Sequence, residues 1–259
     1  AGYDAGMPKR FVVASNFQGE AISFDLVNKD GDTLYSGAVP KGDRIEENGL
    51  ADWGWYYAHA NFDDFDTPGT YFVRVTAGKR SISSLPFELD YDFYWGKVLP
   101  LVAGAFKAHR CGTEAPGFHG PCHLDDAVPG GWHNGTEYSK TNDVDCLWAL
   151  TDALSVARWK FNEFFGDGAS PVHEEVAWGV DLLKRMVAAD GTVSALPVSN
   201  PDYWGPPEKE TDNLPGTGDE RALAPEAPDA ALVAMTLARA AGYLPGNTGL
   251  VDAAERALR

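Results

Sequence analysis

The spacing of apolar residues changes near residue 90, and that change requires two differently built halves. Up to residue 88, short segments rich in β-branched and aromatic residues recur: RFVVASN, AISFDLVN, TLYSGAV, WYYAHANF, TYFVRVTA and SSLPFEL. Lys29-Asp30-Gly31-Asp32, Pro40-Lys41-Gly42-Asp43 and Thr67-Pro68-Gly69-Thr70 supply turn chemistry between them. Strands at that spacing predict a small antiparallel sandwich, with Tyr71, Val73 and Val75 on one face of their strand. Asp63, Asp64 and Asp66 precede a turn and read as a solvated loop. Beyond residue 90, apolar residues fall at three- and four-residue steps. FYWGKVLPLVAGAFKAHR, DVDCLWALTDALSVARWKFNEFF, HEEVAWGVDLLKRMVAAD, DAALVAMTLARAAGY and GLVDAAERALR therefore predict helices. Pro100 marks either the start of the first helix or a kink in it. The expected domains are residues 1–88 and 89–259.

With 259 residues, the chain is long enough to bury a core in each half without disulfide staples. Its net charge is −17, of which the helical part carries the larger share. An acidic surface repels phosphate backbones and excludes nucleic acid as an expected partner. No apolar run reaches the ~18 residues of a membrane span, and the opening AGYDAG has neither a basic stretch nor a hydrophobic signal core. There is no Gly-x-Ser-x-Gly elbow, phosphate-binding or dinucleotide loop, or His-Glu-x-x-His pair.

Reactive side chains concentrate in one loop-like segment. It holds Arg110-Cys111-Gly112, then Gly120-Pro121-Cys122-His123-Leu124-Asp125-Asp126, then Gly130-Gly131-Trp132-His133-Asn134-Gly135-Thr136-Glu137-Tyr138. Thiolate and imidazole are the donors zinc prefers, and Cys111, Cys122, His123 and His133 would close a tetrahedral, structural site. The spacing is not that of a zinc finger, and it equally permits a Cys111–Cys122 disulfide or two buried thiols. Cys146 sits on the apolar stripe of the second helix with Leu147, Leu150, Leu154 and Ala157 and reads as core. Asp125 and Asp126 would either orient a ligand histidine or face water. His173 reads as a surface residue, and His59, His109 and His119 have no partner that the sequence names.

The order Arg-Cys-Gly, Cys-His-Leu-Asp-Asp, Gly-Gly-Trp-His resembles glycoside hydrolase family 9, the inverting cellulases. Trp178-Gly179-Val180-Asp181-Leu182-Leu183-Lys184-Arg185-Met186, Asp190-Gly191, Trp204-Gly205-Pro206-Pro207-Glu208, Thr211-Asp212 and Arg221 extend the likeness. Asn61-Phe62-Asp63-Asp64-Phe65 and Pro68-Gly69-Thr70-Tyr71 resemble the end of that family's N-terminal immunoglobulin-like domain. The resemblance covers essentially the whole chain. It implies an immunoglobulin-like β-sandwich followed by part of an (α/α)6 barrel, a structural zinc on the Cys/His set, a β-1,4-glucan polysaccharide as substrate, and an extracellular location. It also implies calcium, whose usual ligands match no residues here. It places Trp132 on the cleft side, against the alternative of packing under the loop. Tyr203 and Trp204 are either a sugar platform or a loop anchor.

Two departures bear on catalysis. After Gly-Gly-Trp the family carries Asp-Ala-Gly-Asp, whose second aspartate is the general base and whose first helps hold the attacking water. This sequence has Asn134-Gly135-Thr136-Glu137 instead. Asn134 can still hydrogen-bond a water but cannot take its proton. Glu137 keeps a carboxylate one methylene longer, and a displacement of about 1 Å in a reacting group can cost ~10²-fold in rate. Glu137 is thus either a re-aimed base or a relic. The family's general acid lies near the end of a twelve-helix barrel and corresponds to no residue here. The closing run Ala253–Arg259 reads as the middle of a helical array. A half barrel would expose apolar helix faces at ~25 cal/mol per Å², so a C-terminal remainder or a partner chain is expected to complete it. A non-catalytic relative that binds glycan or builds a surface assembly is the alternative reading.

Overall fold

The computed structural model describes residues 1–16, 20–44, 54–113, 117, 119–133, 171–194, 205–220, 230–242, 244 and 248–259. They form two compact units, Ala1–Val98 and Leu99–Arg259. The first unit runs beyond residue 88 because its last strand ends at Asp90 and a π-helical turn, Tyr94–Val98, follows. Lys97 of that turn pairs with Glu88 and Asp90.

The first unit is a sandwich. Its strands are β1 (Gly2–Asp4), β2 (Arg10–Ser15), β3 (Ile22–Asn28), β4 (Thr33–Val39), β5 (Asp43–Arg44), β6 (Tyr56–Asn61), β7 (Gly69–Ala77), β8 (Arg80–Ser83) and β9 (Phe87–Asp90). One sheet runs β1-β9-β7-β3-β4, with β8 also on β7; the other runs β2-β6-β5. All pairings are antiparallel except β1 with β9. The β3–β4 turn is set by Asn28, whose Oδ1 accepts the N–H groups of Asp30 and Asp32. Phe24, Leu26, Phe62, Tyr71, Val73, Phe87 and Leu89 are buried between the sheets, as alternation along β3 and β7 dictates. The Tyr71 hydroxyl donates to the carbonyl of Thr67, 2.9 Å away, the corner bond typical of immunoglobulin-like sandwiches.

Two features depart from the sequence reading. The run SSLPFEL is not one strand: β8 ends at Ser83, and Leu85 is 85% exposed before β9 begins. The acids at 63–66 are not merely solvated. Lys9 is fully buried, and its Nζ donates to Asp66 Oδ1 at 2.8 Å, Met7 O at 2.8 Å and Asp63 O at 3.0 Å. Asp63 Oδ1 accepts the backbone N–H of Lys9 at 2.6 Å.

In the second unit the described helices are α1 (Leu99–Ala108), α2 (Pro171–Met186), α3 (Ala230–Ala241) and α4 (Leu250–Ala257). Pro100 is the second residue of α1, directly after the π-helical turn Tyr94–Val98, so it sits where the helical winding changes. The helix expected over DVDCLWALTDALSVARWKFNEFF, with Cys146, lies outside the described residues. Helix α2 opens on Pro171 and has Glu174 in its first turn and Lys184 and Arg185 in its last, which suits the helix dipole at both ends. It packs against α1, α3 and α4. A Cβ on Gly191 would lie 2.4 Å from the Arg256 carbonyl, so only glycine permits that approach to the C-terminus of α4. Leu101 and Val102 of α1 and Val251 of α4 are exposed, and none of the described helices is long and apolar enough to cross a membrane.

Hydrogen bonds from Lys9 and then from the Gly6 backbone hold the Asp66 carboxyl below its ordinary pKa. Between the folded value and the ordinary ~3.9, the unfolded chain binds the extra proton, so this contribution is present above that window and lost as pH falls through the folded value. The expected outcome for Asp66→Asn is a lower melting temperature at neutral pH and a shallower loss toward acid. Thermal melts from pH 7 to pH 2 check it, and identical acid slopes in both proteins contradict it.

Candidate functional site

After α1 the chain doubles back on itself through short antiparallel contacts. Arg110 bridges to Trp132, Cys111 N donates to Gly131 O at 2.9 Å, and His133 N donates to His109 O at 2.9 Å. Gly112 N reaches Cys122 O at 3.2 Å. Gly112 has φ +68°, and a Cβ there would lie 2.5 Å from Gly130 N, so this crossing requires glycine. These bonds place Cys111 beside His133. Cys122 and His123 then arrive from the middle of the loop. Adjacent residues in extended chain point apart, but His123 has φ +53°, and this left-handed step turns both side chains to the same place.

The result is a buried set. One donor atom from each of Cys111, Cys122, His123 and His133 lies within 4.8 Å of the others. Neither cysteine is joined in a disulfide, which removes that alternative for the described pair. Cys111 Sγ is 3.6 Å from His123 Nδ1, and Cys122 Sγ is 3.2 Å from His133 Nε2. Bonds of about 2.0–2.3 Å to one tetrahedral ion put neighbouring ligand atoms about 3.3–3.8 Å apart, so two sulfurs and two nitrogens here fit such an ion with little movement. Burial lowers the His133 pKa, partly opposed by its interaction with Cys111. The neutral imidazole so favoured is the form that binds metal.

Helix α2 is the platform beneath this loop. Glu175, buried on α2, accepts from Arg110 Nη2 at 2.8 Å and from Trp132 Nε1 at 3.0 Å. One turn on, Trp178 Nε1 donates to Gly131 O at 2.9 Å, and the Arg110 guanidinium lies over the Trp178 ring. Farther along, Leu182 and Met186 bury Val128, and Arg185 donates to Pro129 O at 2.7 Å. Residues 175, 178, 182 and 185–186 follow the helical repeat, so one face of α2 grips the loop over three turns.

Trp132 is 2% exposed with its indole N–H bound to Glu175, which among the described residues accords with the alternative of packing under the loop. His173 is corrected, being 6% exposed in the first turn of α2 because that turn faces the packed side; burial lowers its pKa. Asn134, Glu137, Tyr203 and Trp204 lie outside the described residues. Asp125 accepts from Thr211 Oγ1 at 3.1 Å. With Asp212 and Asp219 it forms a second group of carboxylates within 4.8 Å of one another, less buried than the first. The Thr217 hydroxyl and the backbone N–H groups of Asp212 and Leu214 already bond the carboxylates of Asp212 and Asp219. Three residues that the sequence reading missed border the cysteine–histidine set. Glu175 was visible as an acid on the stripe shared with Gly179, Leu182 and Met186. Glu210, whose Oε2 is 3.3 Å from His123 Nε2, gave no signal. His119, stacked edge-on against His133 with ring centroids 4.8 Å apart, gave none either.

The fold and the cluster together define an immunoglobulin-like sandwich followed by a helical unit with a cysteine–histidine site. Residues 1–80 match the family model described as the cellulase N-terminal ig-like domain. Among solved structures, a thermostable endoglucanase from Alicyclobacillus acidocaldarius is similar at 23% identity and TM-score 0.68, over 99% of this chain and 50% of that one. A metagenome-derived glycoside hydrolase family 9 endoglucanase is similar at 22% and 0.69, over 99% and 52%. A Zn-binding triple mutant of the family 9 endoglucanase J30 is similar at 25% and 0.66, over 98% and 52%. The family model thus accounts for the sandwich, and the chain as a whole is similar in fold to these endoglucanases. The chain spans about half the length of these endoglucanases. A search of curated proteins finds no match.

Glu175→Ala would leave the Trp132 N–H without its buried acceptor and Arg110 with only the exposed carboxylate of Glu174, 3.3 Å away. Truncating one partner of such a pair costs about 3–5 kcal/mol, and urea unfolding followed by tryptophan fluorescence measures it. A loss under about 1 kcal/mol would contradict the platform role.

Proposed function

We propose that residues 89–259 are the N-terminal portion of an (α/α)6 glycoside hydrolase barrel, and that the protein hydrolyses β-1,4-glucan outside the cell with inversion. The observation that carries this reading is the fold similarity to family 9 endoglucanases over 98–99% of the chain. An acidic chain suits a neutral polysaccharide. In the proposed step, a water held by Asn134 attacks the anomeric carbon while Glu137 takes its proton. A second carboxylic acid protonates the leaving oxygen on the opposite face, about 6.5–9.5 Å from the first. No residue of this chain is assigned to that acid, so the reading requires it from polypeptide outside residues 1–259, continuous or partner. Tyr203 and Trp204 remain the proposed sugar-stacking pair.

The metal in this reading is zinc, held by Cys111, Cys122, His123 and His133. Four protein ligands leave no position for water, so the ion braces the loop that leads into Asn134 and Glu137 and takes no part in the reaction. Calcium is left without an assigned site. One observation favours a second reading, a glycan-binding relative without turnover: Asn134 stands where the family has aspartate.

Two measurements test these proposals. Release of reducing ends from soluble β-glucan should fall about 10²- to 10⁴-fold in Glu137→Gln. Equal activity in both forms would remove Glu137 as base, and saturable oligosaccharide binding without turnover would favour the second reading. Chelation of zinc should lower the melting temperature, and free zinc at 100 times its Kd should restore about 2.7 kcal/mol of stability. A melt unchanged by chelator and zinc would contradict the brace.

A further inference from the structure

We infer that Glu210 is a positioning residue for the metal ligand His123, fixing which ring nitrogen binds the ion and tying the 205–220 segment to the site. The inference rests on the metal reading above and goes beyond its four ligands.

The geometry around His123 is two-sided. Nδ1 faces Cys111 Sγ at 3.6 Å, on the side where the four donors converge. Nε2 faces Glu210 Oε2 at 3.3 Å, on the opposite side. Both side chains are buried, 1% and 7% exposed. A neutral imidazole has one N–H and one lone pair. A carboxylate beside Nε2 favours the proton there, which leaves the Nδ1 lone pair for the metal. Carboxylates placed this way behind ligand histidines fix the tautomer and ring angle and raise ligand basicity. His133 is arranged the other way round, with Nε2 toward Cys122 Sγ. The two histidines therefore bind through different nitrogens.

Glu210 is held where this requires. It follows the 3₁₀ turn Pro207–Lys209 and donates its own N–H to Pro207 O at 3.0 Å. The next residues are bonded to the stretch that carries Cys122 and His123. Thr211 Oγ1 donates to Asp125 Oδ1 at 3.1 Å. Asn213 Oδ1 accepts from Leu124 N at 3.2 Å, and Asn213 Nδ2 donates to Pro121 O at 3.2 Å. The carboxylate thus reaches the histidine from a segment already fastened on both sides of it.

The test uses the full chain, stripped of metal and titrated with Co²⁺, together with Glu210→Ala and Glu210→Gln. The wild type should give the visible bands and thiolate charge transfer of a tetrahedral site with two sulfurs. Glu210→Ala should keep that spectrum but bind about 10- to 100-fold more weakly. Glu210→Gln, whose amide oxygen can accept the same N–H, should recover part of the affinity and guards against a folding defect. In the zinc-loaded wild type, ¹⁵N chemical shifts should show His123 protonated at Nε2 and metal-bound at Nδ1. Equal Co²⁺ affinity in all three proteins, or His123 bound through Nε2, would overturn the role of Glu210. No thiolate–cobalt spectrum in the wild type would instead overturn the metal reading itself.

Discussion

The buried carboxylate of Glu175 is the contact on which the second unit's organisation turns. It receives the Arg110 guanidinium and the Trp132 indole N–H from the two ends of one long loop. Those residues adjoin Cys111 and His133, so one side chain on α2 anchors the backbone pairing that sets these two side chains next to each other. A buried charge of this kind is stabilising only when its hydrogen-bonding capacity is met. Trp178, Leu182 and Arg185 continue the same face and hold Gly131, Val128 and Pro129 against it. The loop is therefore held by the helix on one side and by the cysteine–histidine set within it.

The sandwich solves a related problem with Lys9. Its ammonium is buried beneath the 63–66 turn and saturated by two carbonyls and Asp66. In each unit one charged side chain joins segments more than forty residues apart. The two differ in where the opposite charge sits, since Asp66 is half exposed while Glu175 is enclosed. Acid weakens the first through its exposed carboxylate, and loss of either carboxylate strands a cation held away from water, Lys9 more completely than Arg110.

What the sequence made legible follows from how each feature is encoded. Alternation along RFVVAS, ISFDLVN and TYFVRVTA gives the strands because each buries one face. Strand β8 was missed because RSIS is exposed at every position and carries no alternation. The three-residue β1 is too short to show a period. Helices α2, α3 and α4 were legible from their apolar stripes. The set Cys111, Cys122, His123 and His133 was legible from its donor types and the family resemblance, while spacing alone left a disulfide or two thiols open, because the convergence depends on a left-handed step at His123 that composition does not announce. Glu210 was invisible because 87 residues separate it from His123 and no periodic pattern links them. Trp132 stayed open between cleft and core because an aromatic ring serves a sugar or a core equally well until its N–H finds a buried acceptor.

The cluster, the α2 platform and the Glu210 contact are three levels of one account, in which a metal locks the loop that precedes Asn134 and Glu137. X-ray absorption at the zinc edge of the loaded protein tests that account most directly. It predicts two sulfur scatterers at about 2.3 Å and two nitrogen scatterers at about 2.0–2.1 Å. A shell of oxygen and nitrogen alone, or a Cys111–Cys122 disulfide in the metal-loaded protein, would contradict it.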